Sequence, residues 1–469
     1  MDNHNEMTTM KHATTLLFAA LVLAGCAAPP TIPPQGGLTV PVAFKTDVTP
    51  AAPTTAPTTA PAAWWQAFAD PMLDDLIARA ARSNNNIQIA AARVAQARAL
   101  LRASDADRLP QIGAAAGATR DALPGAGGRA GTLLSVGASL SYEVDVFGRL
   151  AKASDAAALD ARSREALLQS TRLLVQADVA RSYFLLRALD NEQALVQSTV
   201  QAYRDTLRLL ERRFDAGDVP ELDVARVRSE VAATESEALA LARQRAAAEN
   251  ALALLVGEPA STLRIAAAEW QATVPAVPAG VPSAVLARRP DVAAAQSSLL
   301  AAQARVGVAQ SAWLPSLALT ANGGQASPEL SDLFKWPARA WGVGALLSLP
   351  IFDGGRRDAG IASASAEFDA ELARYREQVL VAFKDVEDEL ASLRWLAAQE
   401  RAQVDAVGAA TRVTALSTTR YRNGLVSQLD VLDAQRSELR NRRQALQVRA
   451  AQVQSTVGLI RALGGGWGA

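Results

Sequence analysis

A heptad pattern of apolar residues is the feature that most constrains the fold of this chain. From Val175 to Phe214 the seam positions are separated alternately by four and three residues, and the same spacing continues from Val224 to Leu255. A 3.5-residue repeat is typical of a coiled coil rather than of a helix packed on a globular core. A helix from near Leu150 to Phe214 would be about 100 Å long at ~1.5 Å per residue. Compact domains do not need helices of that length.

Segments of a different period precede the heptads. Between residues 135 and 146 apolar and polar residues alternate strictly, which predicts a strand with one apolar face and one polar face. Glu143 and Asp145 fall on its polar face. Weaker strand candidates lie near 111–120 and 316–323, and turn-rich loops at 123–131 and 325–339 join each pair. The apolar positions are Val136, Ala138, Leu140, Tyr142, Val144 and Val146 in the first half, and Trp341, Val343, Ala345, Leu347, Leu349 and Ile351 in the second.

The two periods recur in the same order, about 205 to 207 residues apart. Leu109-Pro110 recurs as Leu314-Pro315, Gly148-Arg149 as Gly355-Arg356, and Leu222-Asp223-Val224 as Leu429-Asp430-Val431. A proline-rich join near residues 275–282 separates the halves. The sequence therefore predicts two tandem structural repeats, at 63–265 and 266–469.

Strands that are apolar on one face, polar on the other and of this length suit a transmembrane β-barrel. Four strands cannot close a barrel, and lipid does not tolerate open strand edges, so this interpretation requires an oligomer. Three copies would supply twelve strands around a water-filled lumen. The predicted fold class is an α+β membrane protein whose subunits complete a trimeric twelve-stranded barrel, continued by long coiled-coil helices. A four-stranded segment of a soluble sandwich is the alternative.

The N-terminus predicts export and lipid attachment. Lys11 precedes a short apolar run that ends at Ala24-Gly25-Cys26. The run is shorter than the ~20 residues that span a bilayer, so residues 1–25 are predicted to be a signal peptide. Leu23 to Cys26 resembles the bacterial lipobox, whose thiol receives a diacylglyceryl group, and the following Ala27 favours sorting to the outer membrane. An ordinary signal peptide with a chance cysteine is the alternative. The Pro, Thr and Ala-rich residues 26–62 predict an extended tether.

The scarce residue types weigh against catalysis. The only histidines, His4 and His12, precede Cys26, so cleavage there would leave a chain with no histidine and no free thiol. This removes the commonest general base and the commonest metal ligand. Lys+Arg and Asp+Glu are equal at 47 each, without the basic excess of a nucleic-acid binder. We expect no enzyme, no metal, no nucleic acid and no cofactor beyond a covalent lipid on Cys26.

An ordered set of motifs runs from the lipobox to the last residues. They are Trp64-Trp65-x-x-Phe68-x-Asp70, Asn86-Ile87, Ser141 to Arg149, Arg289-Pro290-Asp291-Val292, Leu349 to Arg357, and Leu463 to Trp467. Together they resemble the outer-membrane efflux proteins, specifically the lipoprotein channels of tripartite pumps of the resistance-nodulation-division type.

The resemblance implies a homotrimer in the outer membrane with a twelve-helix tunnel through the periplasm. It would conduct drugs or small solutes passively out of the cell. The hairpins near 214–223 and 421–433 would form the periplasmic tips, where an adaptor (membrane fusion) protein would link the duct to an inner-membrane transporter. Gly217 and Gly424 lie at these tips, although helix termination alone would also explain both glycines.

The family closes its periplasmic end through tyrosine, arginine and aspartate contacts and rings of carboxylates. The matching positions are Tyr421, Asp430 and Asp433 on the second hairpin and Asp223 on the first, whereas the arginine position is occupied by Val426. A ring of carboxylates would attract cations and raise its own pKa values by repulsion. The alternatives are structural: residues 427–430 form a capping box, and Tyr421 lies on a coiled-coil seam.

Other functions stay open at this point. A type I secretion duct shares the predicted architecture, and a coiled-coil envelope lipoprotein, as spacer or adhesin, would need no pore. An envelope hydrolase is a third class, but no catalytic triad can be nominated. The apolar strand faces favour a channel over a spacer, because a spacer needs none.

Overall fold

The computed structural model describes residues 30–45, 63–122, 130–270, 274–278 and 282–466. The predicted signal peptide, Cys26 and most of the predicted tether lie outside these ranges. The helices are α1 Pro71–Ser83, α2 Asn85–Ala106, α3 Arg149–Asp215, α4 Glu221–Val256, α5 Pro282–Arg288, α6 Pro290–Gln310, α7 Arg356–Arg422 and α8 Gln428–Ala462; the strands are β1 Gln111–Ala122, β2 Ala130–Val144, β3 Ser316–Ser327 and β4 Arg339–Ser348.

The two halves of the chain have the same order of elements. In each, a helix of about 20 residues leads into a β-hairpin, and a long helix and a shorter helix follow. The long helices α3 and α7 each contain 67 residues, and α4 and α8 contain 36 and 35. Helices of these lengths were expected from the heptad pattern.

By compactness the chain divides into two units. Of the described residues, the first contains the four strands, within 93–165 and 294–376, together with residues 30–38; the second contains those within 39–92, 166–293 and 377–466. The strands of the first unit form one antiparallel sheet in the order β1-β2-β3-β4.

The strand register separates apolar from polar residues. Leu140 on β2 lies opposite Ile112 on β1 and Ala321 on β3, and Ala321 lies opposite Val343 on β4. One residue along, Ser141 lies opposite Gln111 and Thr320. Directly opposed residues share a face of the sheet, so one face is mainly apolar and the other mainly small or polar. The period-two prediction is confirmed.

The strand ends differ from the prediction. β2 ends at Val144 and β4 at Ser348, so Val146, Leu349 and Ile351 lie beyond the sheet. Asp145 is the cause on β2, because its carboxylate accepts hydrogen bonds from the backbone N–H groups of Leu150 at 3.0 Å and Ala151 at 2.7 Å. Alternation alone does not reveal that a carboxylate will leave the strand to cap a helix.

The second half uses the same device. Asp353 accepts hydrogen bonds from the backbone N–H of Gly355 at 3.1 Å and of Arg357 at 3.2 Å. The Arg357 side chain and these two N–H groups outweigh desolvation and lower the pKa of the Asp353 carboxyl. Gly354 and Gly355 both have positive φ, at 65° and 87°, as the tight turn into α7 requires.

Glu143 also has a partner. Its carboxylate forms an ion pair of 2.8 Å with Arg149, at the start of α3. The expectation that Glu143 and Asp145 are both part of a polar strand face therefore holds only for Glu143, and Asp145 belongs to the strand-to-helix turn.

An aromatic core anchors the second unit. The rings of Phe68 and Phe184 lie 4.8 Å apart between centroids, and Trp64 packs beside Phe68. Burial of such side chains contributes about 1.5–3 kcal/mol each. Asp70 then caps α1 by accepting from the backbone N–H of Met72 at 3.0 Å. The Trp-Trp-x-x-Phe-x-Asp motif is therefore a packing and capping motif.

The heptad seam is buried along both helices of the first hairpin. The seam residues that are buried are Val175, Val179, Leu186, Leu189, Val196, Val200, Tyr203 and Leu210 on α3 and Val224, Val227, Val231, Leu241, Ala248 and Leu252 on α4. Leu207, Ala238 and Leu255 of the same seam are half-buried, and Phe214, at the tip, is exposed. The predicted seam is therefore the inward-facing stripe of both helices.

Part of the predicted tether is bound to the first unit. The Gln303 amide donates a hydrogen bond of 2.6 Å to the carbonyl of Pro30, and the Arg376 guanidinium donates one of 2.6 Å to the carbonyl of Gly36. Within the segment predicted to be an extended tether, Pro30 and Gly36 are therefore held by side chains of the helices. Proline-rich composition favours extended chain, but it does not exclude backbone carbonyls from docking on a neighbouring helix.

Candidate functional site

The first hairpin tip is a tight turn between α3 and α4. Gly217 has φ of 80°, and the N–H of Asp218 donates to the carbonyl of Arg213 at 2.8 Å. This hydrogen bond, from the sixth residue back to the first, is that of the Schellman motif, in which a glycine of positive φ ends a helix. Asp223 lies in the first turn of α4 and forms an ion pair of 3.7 Å with Arg226. Asp223 therefore has a local partner at the helix N-terminus, where an acidic side chain is favoured.

The second tip repeats this geometry. Gly424 has φ of 71°, and the N–H of Leu425 donates to the carbonyl of Arg420 at 2.9 Å. An added Cβ at Gly217 or Gly424 would meet no atom within 4 Å. Glycine is therefore favoured at both tips by the left-handed backbone conformation, and not by a lack of space for a side chain.

Asp430 completes a capping box on α8. Its carboxylate accepts from the N–H of Ser427 at 2.9 Å, and the Ser427 hydroxyl accepts from the N–H of Asp430 at 3.4 Å. The Ser427 side chain, followed by its backbone N–H, lowers the pKa of the Asp430 carboxyl. The capping box that the sequence offered as the structural alternative is therefore present, and the Asp430 carboxyl group is exposed to solvent.

Tyr421 is brought together with an arginine that the sequence did not indicate. Arg213 Nη1 donates a hydrogen bond of 3.2 Å to the Tyr421 hydroxyl oxygen. The motif match had put valine at the arginine position, so no tyrosine–arginine contact was expected. Arg213 and Tyr421 lie 208 residues apart in the chain, and no local pattern in the sequence indicates that they meet.

Asp433 belongs to a ladder of ion pairs between α4 and α8. Asp433 contacts Arg436 at 3.4 Å, and Arg436 also binds Glu230 of α4, with Nε to Oε2 at 2.7 Å. One heptad further along both helices, Arg443 binds Glu237 at 2.9 Å. Ion pairs at seven-residue intervals join neighbouring helices of a bundle. Asp433 is therefore placed with the helix-to-helix contacts rather than with the cap.

Two buried arginine clusters support the helices that carry the tips. Arg187 binds Asp190 at 3.0 Å, and Arg245 binds the same aspartate at 2.6 Å. Separately, Arg289 binds Asp291 at 2.6 Å and Asp385 at 3.2 Å. Arg289 and Asp291 belong to a sequence motif, but neither cluster was predictable, because the partners lie up to 96 residues apart.

Tyr183 links the first cluster to the aromatic core. Its hydroxyl donates to Asp70 at 2.7 Å and accepts from Arg187 at 3.1 Å. Desolvation raises the pKa of Tyr183 to about 12, with the Arg187 hydrogen bond opposing and the Asp70 hydrogen bond adding to the shift. Such a satisfied network fixes helix register in a core, and we assign it a structural role.

Within the ranges described above, no group of three or more histidine, cysteine or carboxylate side chains is arranged to hold a metal ion. None of the described helices combines the length and the apolar character that crossing a bilayer requires.

The fold and the tips match one known family. The outer membrane efflux protein family model matches residues 76–258 and 281–465, and the chain belongs to this family. It is an outer-membrane efflux channel, as the motif resemblance predicted.

Relatives cover nearly the whole chain. It is 34% identical over 464 residues to the pyoverdine export outer membrane protein OpmQ of Pseudomonas aeruginosa, covering 97% of this chain and 96% of that one. It is 32% identical over 469 residues to the solvent efflux pump outer membrane protein SrpC of Pseudomonas putida, covering 98% and 99%. Among solved structures, the open state of the MtrE outer membrane channel of Neisseria gonorrhoeae has a TM-score of 0.82 at 28% identity, covering 94% of this chain and 98% of that chain.

Proposed function

We propose that this channel is the exit duct of a tripartite efflux pump, active as a homotrimer with a twelve-stranded barrel and without enzymatic activity. The duct would conduct solutes passively, and an inner-membrane transporter would supply the driving energy through a periplasmic adaptor. The observation that carries the proposal is the sheet, which is open at both edges and apolar on an exposed face.

The exposed face is large for a protein in water. Trp341 and Val343 on β4 are 79% and 78% exposed, and Ile112 on β1 is 77% exposed. Side chains of this size stabilise a protein only when they leave water. A lipid phase would take up this face without any further protein layer.

The sheet edges require partner strands. In the described ranges β1 and β4 each pair with one neighbour only, and lipid cannot satisfy the remaining N–H and C=O groups. In a sheet of this order β1 and β4 run in opposite directions. β4 of one subunit can therefore pair with β1 of the next subunit as another antiparallel pair. Three copies give twelve strands, an even number as such barrels favour.

The hairpin tips are the proposed adaptor contacts. Both tips carry exposed apolar side chains beside their glycines, namely Phe214 and Leu222 near Gly217 and Leu425 near Gly424. Apolar groups on exposed turns of charged helices are typical of sites that bind a partner. Tyr421, Asp430, Asp433 and Asp223 are proposed to govern the opening near these tips, since all four lie within the two hairpin ends.

A thioether-linked lipid on Cys26 is proposed to attach the mature N-terminus to the outer membrane. Cys26→Ala should abolish labelling by a palmitate analogue and weaken membrane retention after alkaline or urea washing. Membrane retention and labelling equal to those of the parent chain would contradict the proposed lipid attachment. The proposal of a trimeric barrel would be unaffected. Cys26→Ser is the matched variant, because it nearly preserves side-chain size and differs only in the atom that would carry the diacylglyceryl group.

The proposed cargo is drugs or small solutes. The relatives include proteins named for pyoverdine export and solvent efflux, which differ widely in chemistry. A duct that receives its cargo from an upstream transporter needs little selectivity of its own. The transporter, rather than this chain, would therefore determine most of the cargo specificity.

Cysteine cross-linking tests the trimer directly. Val343→Cys combined with Ala114→Cys, Ala116→Cys or Ala118→Cys places one thiol on β4 and one on β1, both on the apolar face. Within one subunit the two strands are three spacings, about 14 Å, apart, too far for a disulfide. We expect oxidation to give dimers and trimers on denaturing gels for at least one pair.

The control is Leu140→Cys with Ala321→Cys, which lie directly opposite each other on β2 and β3. Oxidation of this pair should leave only monomers. If all three β1–β4 pairs also remain monomeric in membranes, the barrel is not built in this way. Planar-bilayer conductance of the purified protein provides the independent functional test, and its absence would contradict the duct.

A further inference from the structure

A cavity lies between three helices near the hairpin tips. Its volume is about 210 Å³, and its walls come from α3, α7 and α8 of the second unit. Tyr203 of α3, Thr414 of α7 and Gln435 of α8 each contribute a side chain to it. The cavity therefore joins a helix of the first half of the chain to two helices of the second half.

Each of these three side chains has a buried polar atom without a partner. Tyr203 Oη, Thr414 Oγ1 and Gln435 Oε1 have no hydrogen-bond partner among the described residues. Tyr203 as a whole is 1% exposed, and desolvation raises the pKa of its phenol. Native proteins rarely leave buried polar atoms unpaired, and three such atoms on one cavity indicate a shared ligand.

The chemistry of the walls restricts that ligand. Glu438 also lines the cavity, but its carboxylate is paired with Arg442 at 2.5 Å and accepts from the Thr411 hydroxyl at 3.1 Å. The hydroxyls of Ser198 and Thr199, which also line the cavity, donate to the Leu195 carbonyl. The groups left without a partner are thus two hydroxyls and an amide oxygen, with no uncompensated charge. A small neutral molecule that both donates and accepts hydrogen bonds fits this set, and an ion does not.

We propose that this cavity is a structural water site, in which ordered water bridges Tyr203, Thr414 and Gln435. The volume is sufficient for several molecules at ~30 Å³ each. The phenol ring of Tyr203 packs in an apolar cluster with Leu210, Val227 and Leu432. Its hydroxyl oxygen is buried without a partner, and a buried tyrosine hydroxyl usually has one.

The water site has a mechanical consequence for the helices. Water-mediated hydrogen bonds are nearly as favourable as direct ones and exchange partners easily. α3 can therefore shift against α7 and α8 at this level by rearranging water, whereas the ion pairs of Arg436 and Arg443 would have to break.

The first test is stability of the full-length protein in detergent. Tyr203→Phe keeps the ring and removes only the hydroxyl. If water bridges this group, the variant loses a hydrogen bond and its Tm falls by about 1–2 °C. If the hydroxyl is dry, its removal relieves a buried unpaired group, and an unchanged or higher Tm would overturn the proposal.

A double-mutant cycle tests whether the ligand is shared. Tyr203→Phe with Thr414→Val should lower Tm by less than the sum of the single changes, because both remove contacts to the same water. Strict additivity would contradict a shared site. Thr418→Val is the matched control: its hydroxyl donates to the Thr414 carbonyl at 2.7 Å, one turn away on the same helix, outside the cavity walls.

A high-resolution density map settles the chemical identity. We expect a peak about 2.7 Å from Tyr203 Oη that persists when the protein is prepared in rubidium chloride and shows no anomalous signal. An anomalous rubidium peak in the cavity would identify a cation site and reject water. A map with no peak there would also reject it.

Discussion

The Arg213 guanidinium at the end of α3 donates a hydrogen bond of 3.2 Å to the Tyr421 hydroxyl at the end of α7. The two residues belong to different halves of the chain, and each lies beside a glycine turn. The contact therefore ties the two hairpin tips together within one subunit.

Removing this contact should loosen the tips. A net contribution of about 0.5–1.5 kcal/mol for one hydrogen bond corresponds to a shift of about 2- to 10-fold in the ratio of open to closed states. We expect Arg213→Ala and Tyr421→Phe each to raise basal single-channel open probability in planar bilayers within that range. Arg212→Ala, an equal change of charge at the adjacent exposed residue, is the control. Equal effects of both arginine changes would show that charge, not the Tyr421 contact, matters.

Two acidic residues near the second tip should influence ion passage. Asp430 and Asp433 are exposed and lie on the same turn of α8, so three copies would form two rings in the proposed trimer. Asp430→Ala combined with Asp433→Ala should raise basal conductance or reduce the preference for cations, measured as a reversal-potential shift in a salt gradient. An unchanged current–voltage curve would leave both residues as a helix cap and an ion-pair partner.

The cap on α8 should weaken in acid. The folded-state pKa of Asp430 is lowered by Ser427, so its stabilising contribution is present above the ordinary carboxyl value of 3.8 and is lost as pH falls through the folded value. We expect cleavage of the second tip by pepsin to rise steeply as pH is lowered below about 4. Asp430→Asn should be cleaved readily over the whole range and lose this dependence. Asp433→Asn, which leaves the capping box intact, should retain it.

Arg289 should be far costlier to remove than an exposed arginine. It is 6% exposed and binds Asp291, Asp385 and the carbonyl of Ala462. Breaking a buried ion cluster by removing one partner costs about 3–5 kcal/mol at most. Here Arg461 at 3.9 Å from Asp385 and the amide of Gln378 on Asp291 would offset part of that cost. Arg289→Ala should therefore lower the denaturant midpoint far more than Arg412→Ala, an exposed arginine on α7. Similar midpoints for the two variants would show that the cluster adds little.

Much of the fold was predictable because it depends on local periodicity. The alternation in β2 identified both faces of the strand, and the seam from Val175 to Leu210 identified the buried stripe of α3. The strand ends were not predictable from alternation, since Asp145 continues the polar pattern but bonds to the next helix. The docking of Pro30 and Gly36 was missed because it involves backbone carbonyls, which carry no sequence signal.

The candidate site was predicted only in part. The glycines and the capping box follow from short-range rules, so Gly217, Gly424 and Asp430 were located correctly at the tips. The contacts of Tyr421 and Asp433 depend on Arg213 and Glu230, which lie about 200 residues away in the chain. The cavity beside Tyr203 could not be predicted from the sequence, because a tyrosine at a seam position does not indicate where its hydroxyl group lies.

The docking of the N-terminal segment gives the proposed lipid a positional role. Gln303 and Arg376 hold the carbonyls of Pro30 and Gly36, and only four peptide units separate Pro30 from Cys26. Whatever path those units take, they reach at most about 14 Å. A fatty acyl group on Cys26 would then limit how far the first unit and its sheet can be displaced along the membrane normal, because the acyl group stays in the lipid.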